Sequence, residues 1–201
     1  MAQSRRDRIV GAALELAGES GWANVRLHQV ADRLGLSLAV VRAEFRDRDA
    51  IADAWFARAL DELLSAPAAK VAGRPPPERL QSVVMRWFDA LATHRGVARE
   101  MLREKLYPGH PQHWGPLIAD LSRLIHWFLD AARITSTGRE RQLAEIGLTA
   151  LFLATLRTWL RDDSEGQQVT RAQLQRGLDA ADRWLPRLVR TRRVRPAMDP
   201  E

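Results

Sequence analysis

Apolar side chains recur at the three- and four-residue spacing of amphipathic helices along almost the whole chain. The segment from Ile9 to Leu16 is the first clear example, and no segment alternates with a period of two between hairpin turns. This pattern predicts an all-α fold. A length of 201 residues, of which 46% are apolar, is sufficient for one large domain or two small ones with a buried core.

The composition excludes several classes of protein. The absence of cysteine rules out disulfide frameworks, thiolate zinc sites and cysteine nucleophiles. No apolar run approaches the roughly 20 residues that a membrane-spanning helix needs. We therefore expect a cytoplasmic protein without membrane insertion.

The charge is basic and is carried by arginine. The chain has 31 basic and 25 acidic residues, a net charge of +6, and its only lysines are Lys70 and Lys105. The guanidinium group matches phosphate in a bidentate geometry, so this excess is consistent with phosphate recognition, and a codon bias toward arginine is the alternative explanation. The first 50 residues are almost balanced, with eight arginines and seven acids, whereas six arginines and no acid lie between Arg183 and Arg195.

Three short helices and a longer fourth are predicted at the start of the chain. The spacing places them at Ser4–Gly18, Arg26–Leu34 and Ser37–Phe45, and from Asp47 to Leu64. A serine or aspartate stands where three of them begin, as expected of an N-cap. Gly35 lies in the turn between the second and third helices, which is the arrangement of a helix-turn-helix.

The remainder of the sequence also predicts helices, which are separated by segments containing proline or glycine. A helix is predicted from Pro77, with an interruption at Arg95–Gly96 and a loop at Tyr107–Pro116. Three apolar helices follow. The last is expected to begin at Thr170, with Gln173 completing a capping box.

The motif residues of the first quarter carry a family resemblance. They are the small-apolar helix Ile9–Leu16, followed by Gly21, Trp22, Leu27, Val30, Ala31, Leu34, Gly35, Leu36, Ser37, Phe45, Arg48 and Ile51. Residues 9–51 thereby resemble the N-terminal module of TetR-family transcriptional regulators. Where that family usually has tyrosine, histidine and threonine, this chain has Arg42, Glu44 and Val25.

The resemblance implies both a fold and a function. It implies an N-terminal helix-turn-helix three-helix module at 1–50, a C-terminal helical effector-binding and dimerisation domain at 51–195, and a tail at 196–201. The expected activity is that of a homodimeric DNA-binding regulator, a repressor released from double-stranded operator DNA by a small apolar or amphipathic effector. No cofactor or metal is expected. No nucleophile elbow or glycine-rich phosphate loop is found, so the chain is not expected to be an enzyme.

The candidate DNA contacts lie on or beside the second and third helices: Arg26, His28, Ser37, Arg42, Arg46 and Arg48. Arginines can bind phosphates, and Arg42 can also reach a guanine edge. Arg48 matches the lysine with which the family opens its fourth helix, which implies a phosphate contact. Solvated surface charge is the alternative interpretation. The other outward positions of the third helix are Leu38, Ala39, Val40 and Ala43, which offer almost no hydrogen bonds.

Two apolar sets are candidates for a pocket and an interface. The candidate ligand pocket comprises Trp87, Phe88, Trp114, Trp127, Phe128 and Phe152. The candidate dimer interface comprises Leu151, Leu156, Trp159, Leu174, Leu178 and Trp184. Ordinary packing in the interior of one chain is the alternative for both sets.

A second resemblance gives an alternative function. The stretches Tyr107–Pro111, His113–Trp114 and Trp159–Ser164, with Thr170 following, are similar to the lipid-binding proteins of ubiquinone biosynthesis, which share the TetR fold. That resemblance implies a DNA-silent protein that binds isoprenoid-like lipids. Within these stretches His110 and His113 have an H-x-x-H spacing, for which packing of a loop histidine against Trp114 is a better explanation than metal binding. The adjacent acids Asp162 and Asp163 point about 100° apart on a helix and do not form a catalytic pair.

Overall fold

A computed structural model describes residues 4–65, 73–105 and 114–190, with the side chains of the last range described for 118–183. Over these ranges every regular element is helical, which confirms the all-α prediction. None of these helices combines the length and the hydrophobicity that crossing a membrane requires. The helices are α1 (Arg5–Ser20), α2 (Leu27–Leu34), α3 (Leu38–Glu44), α4 (Arg48–Leu64), α5 (Pro76–Leu91), α6 (Arg95–Lys105), α7 (Trp114–Ala131), α8 (Gly138–Trp159) and α9 (Gln168–Arg190).

Local sequence signals set the ends of the first helices. The Ser4 hydroxyl accepts a hydrogen bond from the backbone N–H of Asp7 at 3.1 Å, and the Asp47 carboxylate accepts one from Ala50 at 2.7 Å. Both are N-caps, as the sequence predicts. The helix α1 extends past its predicted end at Gly18 to Ser20, and the residue that caps it, Gly21, has a φ of +86°, which favours glycine.

The chain forms two compact units. Unit 1 combines Met1–Ala66 with Arg86–Ala119, and unit 2 combines Pro67–Met85 with Asp120–Glu201. Unit 1 thus holds α1 to α4 together with α6, and its core contains the fully buried rings of Trp22, Phe45 and Phe88.

Unit 2 is organised around the packing of α8 against α9. The two helices approach closely where Gly177 of α9 faces Leu151 of α8, because a Cβ at Gly177 would lie 2.2 Å from the Leu151 Cδ1. Trp159 is fully buried at the end of α8, and its indole N–H donates to Gln167 Oε1 at 2.6 Å.

Two predicted breaks are displaced in the structure. The interruption after α5 is a 3-10 turn at Ala92–His94, so Arg95 and Gly96 already belong to α6. The predicted loop at 107–116 is too long, because α7 begins at Trp114. Pro116 is tolerated there because the first turn of a helix needs no backbone N–H donors. Residues 106–113 lie outside the described residues.

The predicted capping box at Thr170 is wrong. The helix α9 begins two residues earlier, at Gln168. The hydroxyl and the backbone N–H of Thr170 donate instead to Asp162 Oδ2, at 2.6 and 2.8 Å. The other carboxylate oxygen accepts the hydroxyl and the backbone N–H of Ser164. Asp162, only 3% exposed, thus caps the start of α9 from the turn that precedes it.

Candidate nucleic-acid interface

A left-handed glycine makes the turn between α2 and α3. Gly35 has φ +62° and ψ +33°, and the next residue, Leu36, donates its N–H to the Ala31 carbonyl at 2.9 Å. Two residues further on, the Ser37 hydroxyl accepts the N–H of Val40 at 3.4 Å and caps α3. The structure therefore contains the helix-turn-helix that the sequence spacing predicts.

A bidentate ion pair ties α2 to α1. The Arg33 guanidinium donates to both carboxylate oxygens of Glu19, at 2.6 and 2.8 Å. These hydrogen bonds lower the pKa of Glu19. The pair lies at the surface and joins α2 to the end of α1.

One face of α3 is exposed and nearly apolar. Leu38, Ala39, Arg42 and Ala43 are exposed, with Leu38 at 51%, whereas Val41 is fully buried. At about 100° per residue, the four exposed side chains occupy one continuous arc of about 140°. We call these four residues the exposed face of α3.

Glu44 lies beside α1 rather than on the exposed face of α3. Its carboxylate is 3.8 Å from the Arg5 guanidinium, and its carbonyl accepts a hydrogen bond from Arg6 Nη1 at 2.8 Å. The Arg6 guanidinium stacks 4.2 Å above the Phe45 ring. The negative charge at the end of α3 is therefore paired within the protein.

Five of the six predicted DNA contacts are exposed, all but the half-buried Arg48. His28 on α2 and Arg42 on α3 are exposed. The Arg46 guanidinium lies 3.1 Å from the Asp47 carboxylate, with 74% of its side chain exposed. An exposed pair of this kind exchanges readily for a phosphate, since surface ion pairs are weak.

Two of the six predicted contacts are engaged within unit 1. Arg26 donates to the Ala23 carbonyl at 2.7 Å. Arg48 donates to the carbonyls of Trp22 and Ala23, at 3.0 and 3.1 Å, and also pairs with Glu104. Its guanidinium lies 5.3 Å from the centre of the Trp22 ring. The geometry therefore gives Arg48 a structural role that local sequence could not reveal.

Comparison with known proteins identifies the family. No family model matches the chain. A crystal structure of a TetR transcriptional regulator from Nitrosomonas europaea ATCC 19718 is 36% identical, with a TM-score of 0.77, over 88% of this chain and 97% of that one. The chain belongs to the TetR family of transcriptional regulators. Relatives named HTH-type transcriptional regulator BetI, from Burkholderia cenocepacia (strain HI2424) and Burkholderia mallei (strain NCTC 10229), are each 29% identical, over 90% and 92% of this chain and 94% and 95% of their own.

The aromatic residues predicted to line a pocket fall into both units of this TetR-family chain. Trp87 and Phe88 are buried in unit 1. Phe128 and Phe152 are buried in unit 2, with ring centroids 5.6 Å apart. Trp127 is 48% exposed. Four of these side chains therefore pack as core, and their role as a ligand pocket stays a prediction.

Much of the second resemblance falls outside the described residues. These include residues 107–113 and the side chain of Trp114. The other stretch, Trp159–Ser164, is described and comprises the last residue of α8 and the start of the turn to α9 that Asp162 stabilises. That stretch therefore has a structural explanation.

The predicted dimer residues pack within the chain. Leu156, Trp159, Leu174 and Leu178 are at most 9% exposed in a single chain, because α8 packs against α9. A surface that is already covered cannot receive a second chain. Leu151, half-buried, packs against Gly177. The side chain of Trp184, the sixth, lies outside the described residues.

The outward side of α8 was missed by the sequence analysis. It carries an exposed apolar stripe, with Leu143, Ile146 and Leu153 at 38%, 68% and 46% exposure. The complete α8 stripe is Leu143, Ile146, Gly147, Ala150, Leu153 and Ala154. Its three- and four-residue spacing is visible in the sequence, but α8 is apolar on two faces and periodicity alone does not tell which face the chain covers.

Proposed function

We propose that this TetR-family protein is a repressor that binds operator DNA through its helix-turn-helix and leaves it when a small apolar effector binds. The observation that carries the proposal is the exposed face of α3, on the helix that enters the major groove in this type of motif. The relatives are transcriptional regulators rather than enzymes, which supports the same class of function.

The proposed DNA-binding residues have three different roles, which are contact with a base, contact with phosphates and support of the motif. Arg42 projects from the exposed face of α3 and can donate to a guanine edge. His28 and Arg46 are placed to bind phosphates on either side of the groove, and Ser37 can donate its hydroxyl to one. We propose that Arg26 and Arg48 act indirectly, by holding the segment before α2.

Release requires a helix that communicates with the helix-turn-helix, and α6 is suited to this role. The Glu100 carboxylate accepts the backbone N–H of Trp22 at 2.6 Å, and Lys105 pairs with Asp53 of α4 at 2.6 Å. The Glu104 carboxylate supplies a third link. An effector that favours another position of α6 would thereby disfavour the DNA-binding conformation, as differential affinity for two states requires.

Dimerisation is proposed to use the α8 stripe. Dimers are typical of the family. A two-fold partner would cover the same stripe on both chains, because a two-fold interface is self-complementary. Leu143, Ile146 and Leu153 supply the apolar area, and the small residues between them allow two helices to approach closely.

The test is specific binding to duplex DNA. Purified protein is titrated by fluorescence anisotropy against the duplex from its own upstream region and against a site selected from random sequence, at two salt concentrations. We expect specific binding that weakens with salt. The variant Arg42→Ala should raise Kd about tenfold or more, whereas Arg139→Ala, which removes an exposed arginine outside the motif, should not.

Failure has a distinct signature. If no duplex is bound specifically at either salt concentration, the repressor proposal is wrong. Mass spectrometry of the same preparation then decides the alternative, since a co-purified isoprenoid-like lipid would support the DNA-silent lipid-binding function.

A further inference from the structure

The exposed face of α3 is chemically unusual for a helix that reads DNA. Three of its four side chains, Leu38, Ala39 and Ala43, have no hydrogen-bonding group. The pairs Leu38–Arg42 and Ala39–Ala43 are each four residues apart and lie side by side along the helix. Arg42 is therefore flanked by methyl and isobutyl groups.

The polar residues of α3 do not compensate for this. Glu44 is the only carboxylate on α3 and could accept a hydrogen bond from cytosine N4, but it lies beside Arg5 of α1. Val41 is fully buried and Val40 is half-buried. Arg42 is thus the only hydrogen-bonding side chain on the exposed face of α3.

The major groove presents one apolar group that such a face can recognise, the C5-methyl of thymine. The other features of base edges are donors and acceptors, and covering them with apolar side chains leaves them unpaired. Sequences without thymine at the covered positions are therefore disfavoured, while thymine methyls gain buried apolar contact.

We propose that this protein recognises its operator half-sites chiefly through thymine methyl groups packed against Leu38, Ala39 and Ala43, with Arg42 fixing the register on one guanine. The inference rests on the proposed DNA-binding function and specifies the base chemistry that the binding surface selects. It predicts half-sites in which thymines, on either strand, surround a single essential guanine.

The experiment replaces thymine with deoxyuridine, which removes only the C5-methyl and keeps the Watson–Crick edge. Starting from a duplex selected by the protein, each half-site thymine is replaced singly and then all together. We expect Kd to rise about three- to fourfold for each contacted methyl, with the fully substituted half-sites much weaker. Deoxyuridine placed in the flanking sequence is the matched control and should change nothing.

The variant Leu38→Ala tests whether the Leu38 side chain makes one of the thymine methyl contacts. Leu38 is 51% exposed, so Leu38→Ala should fold normally, which circular dichroism checks. Its affinity for the thymine duplex should fall, and the deoxyuridine penalty should shrink at the one position that Leu38 covers. In Arg42→Ala the deoxyuridine penalties should remain, while discrimination against replacement of the guanine is lost.

Two negative results are distinguishable. Equal binding of thymine and deoxyuridine half-sites would overturn the methyl-recognition inference while leaving the protein a specific DNA-binding regulator. Absence of specific binding to any thymine-containing duplex would remove the proposed function itself.

Discussion

At the scale of single residues, the Asp162 carboxylate accepts four hydrogen bonds in the turn between α8 and α9. Burial raises the pKa of this carboxyl, but hydrogen bonds from the hydroxyls and backbone N–H groups of Ser164 and Thr170 outweigh burial and hold the pKa at about 2, below the usual 3.8. The charged form is therefore the one that stabilises the fold.

Replacing this carboxylate should destabilise the protein in a pH-dependent way. Asp162→Asn should lower the free energy of unfolding by about 2 kcal/mol at pH 7, because an amide places a donor against donors. A depressed pKa contributes stability that is complete above the unfolded-state pKa and is lost as the pH falls toward the folded-state value. The difference between wild type and variant should therefore shrink between about pH 4 and pH 2. Urea denaturation followed by tryptophan fluorescence measures it.

The matched control for Asp162 is an exposed acid in the same turn. Glu165→Gln removes one negative charge without removing a buried acceptor. Its unfolding free energy should stay within about 0.5 kcal/mol of wild type at every pH. An equal loss in both variants would mean that net charge, and not the hydrogen bonds of Asp162, is responsible.

A comparison of Arg48 with Arg46 distinguishes an arginine that stabilises the fold from one that contacts DNA. The Arg48 guanidinium donates to the carbonyls of Trp22 and Ala23, and Arg48→Ala would remove these charge-assisted hydrogen bonds. We expect a loss of about 1–3 kcal/mol in unfolding free energy without DNA present. Arg46→Ala, at a side chain that is 74% exposed, should leave stability unchanged and weaken DNA binding. Unchanged stability in Arg48→Ala would return Arg48 to the phosphate-binding role.

At the scale of elements, the helix ends show what the sequence can and cannot predict. The caps at Ser4 and Asp47 and the turn at Gly35 depend on residues within four positions, so local pattern is sufficient. Thr170 also looks like a cap, but its hydroxyl is bound to Asp162 across eight positions. Arg48 bonds to carbonyls 25 and 26 positions away. Interactions of this kind depend on tertiary packing.

The two faces of α8 illustrate the same limit in packing. Its inward residues, such as Leu156, and its outward residues, such as Ile146, both repeat at helical spacing. Only the position of α9 decides which are covered, and it leaves Leu156 9% and Ile146 68% exposed. The sequence predicts that α8 is doubly apolar. It does not assign one face to the interior and the other to a partner.

The α8 stripe makes a direct prediction about assembly. Ile146→Glu should convert the dimer into a monomer, because a charge at the centre of a two-fold interface is buried against its own copy. Sedimentation velocity measures the change. Ile118→Glu on α7 is the matched control, since that isoleucine is 66% exposed but lies off the stripe. Dissociation by both variants, or by neither, would contradict the assignment of the interface to α8.

At the scale of the whole molecule, the reading surface of one chain is small. It has one hydrogen-bonding side chain on the exposed face of α3, and the first 50 residues are nearly balanced in charge. One half-site should therefore be bound weakly. Useful affinity requires that the second half-site be bound by the same molecule, at an effective concentration fixed by the dimer.

This requirement fixes the geometry of the operator. A two-fold dimer should select an inverted repeat whose half-sites face the same side of the duplex. Inserting five base pairs between them turns one half-site to the opposite side, since a helical turn is about 10.5 base pairs. We expect the affinity to fall about 100-fold or more, toward that of an isolated half-site. The same five base pairs inserted outside the repeat should have no effect. Equal affinity for both duplexes in an electrophoretic mobility-shift titration would mean that the two chains do not bind DNA as one unit, and that methyl recognition by a single α3 suffices.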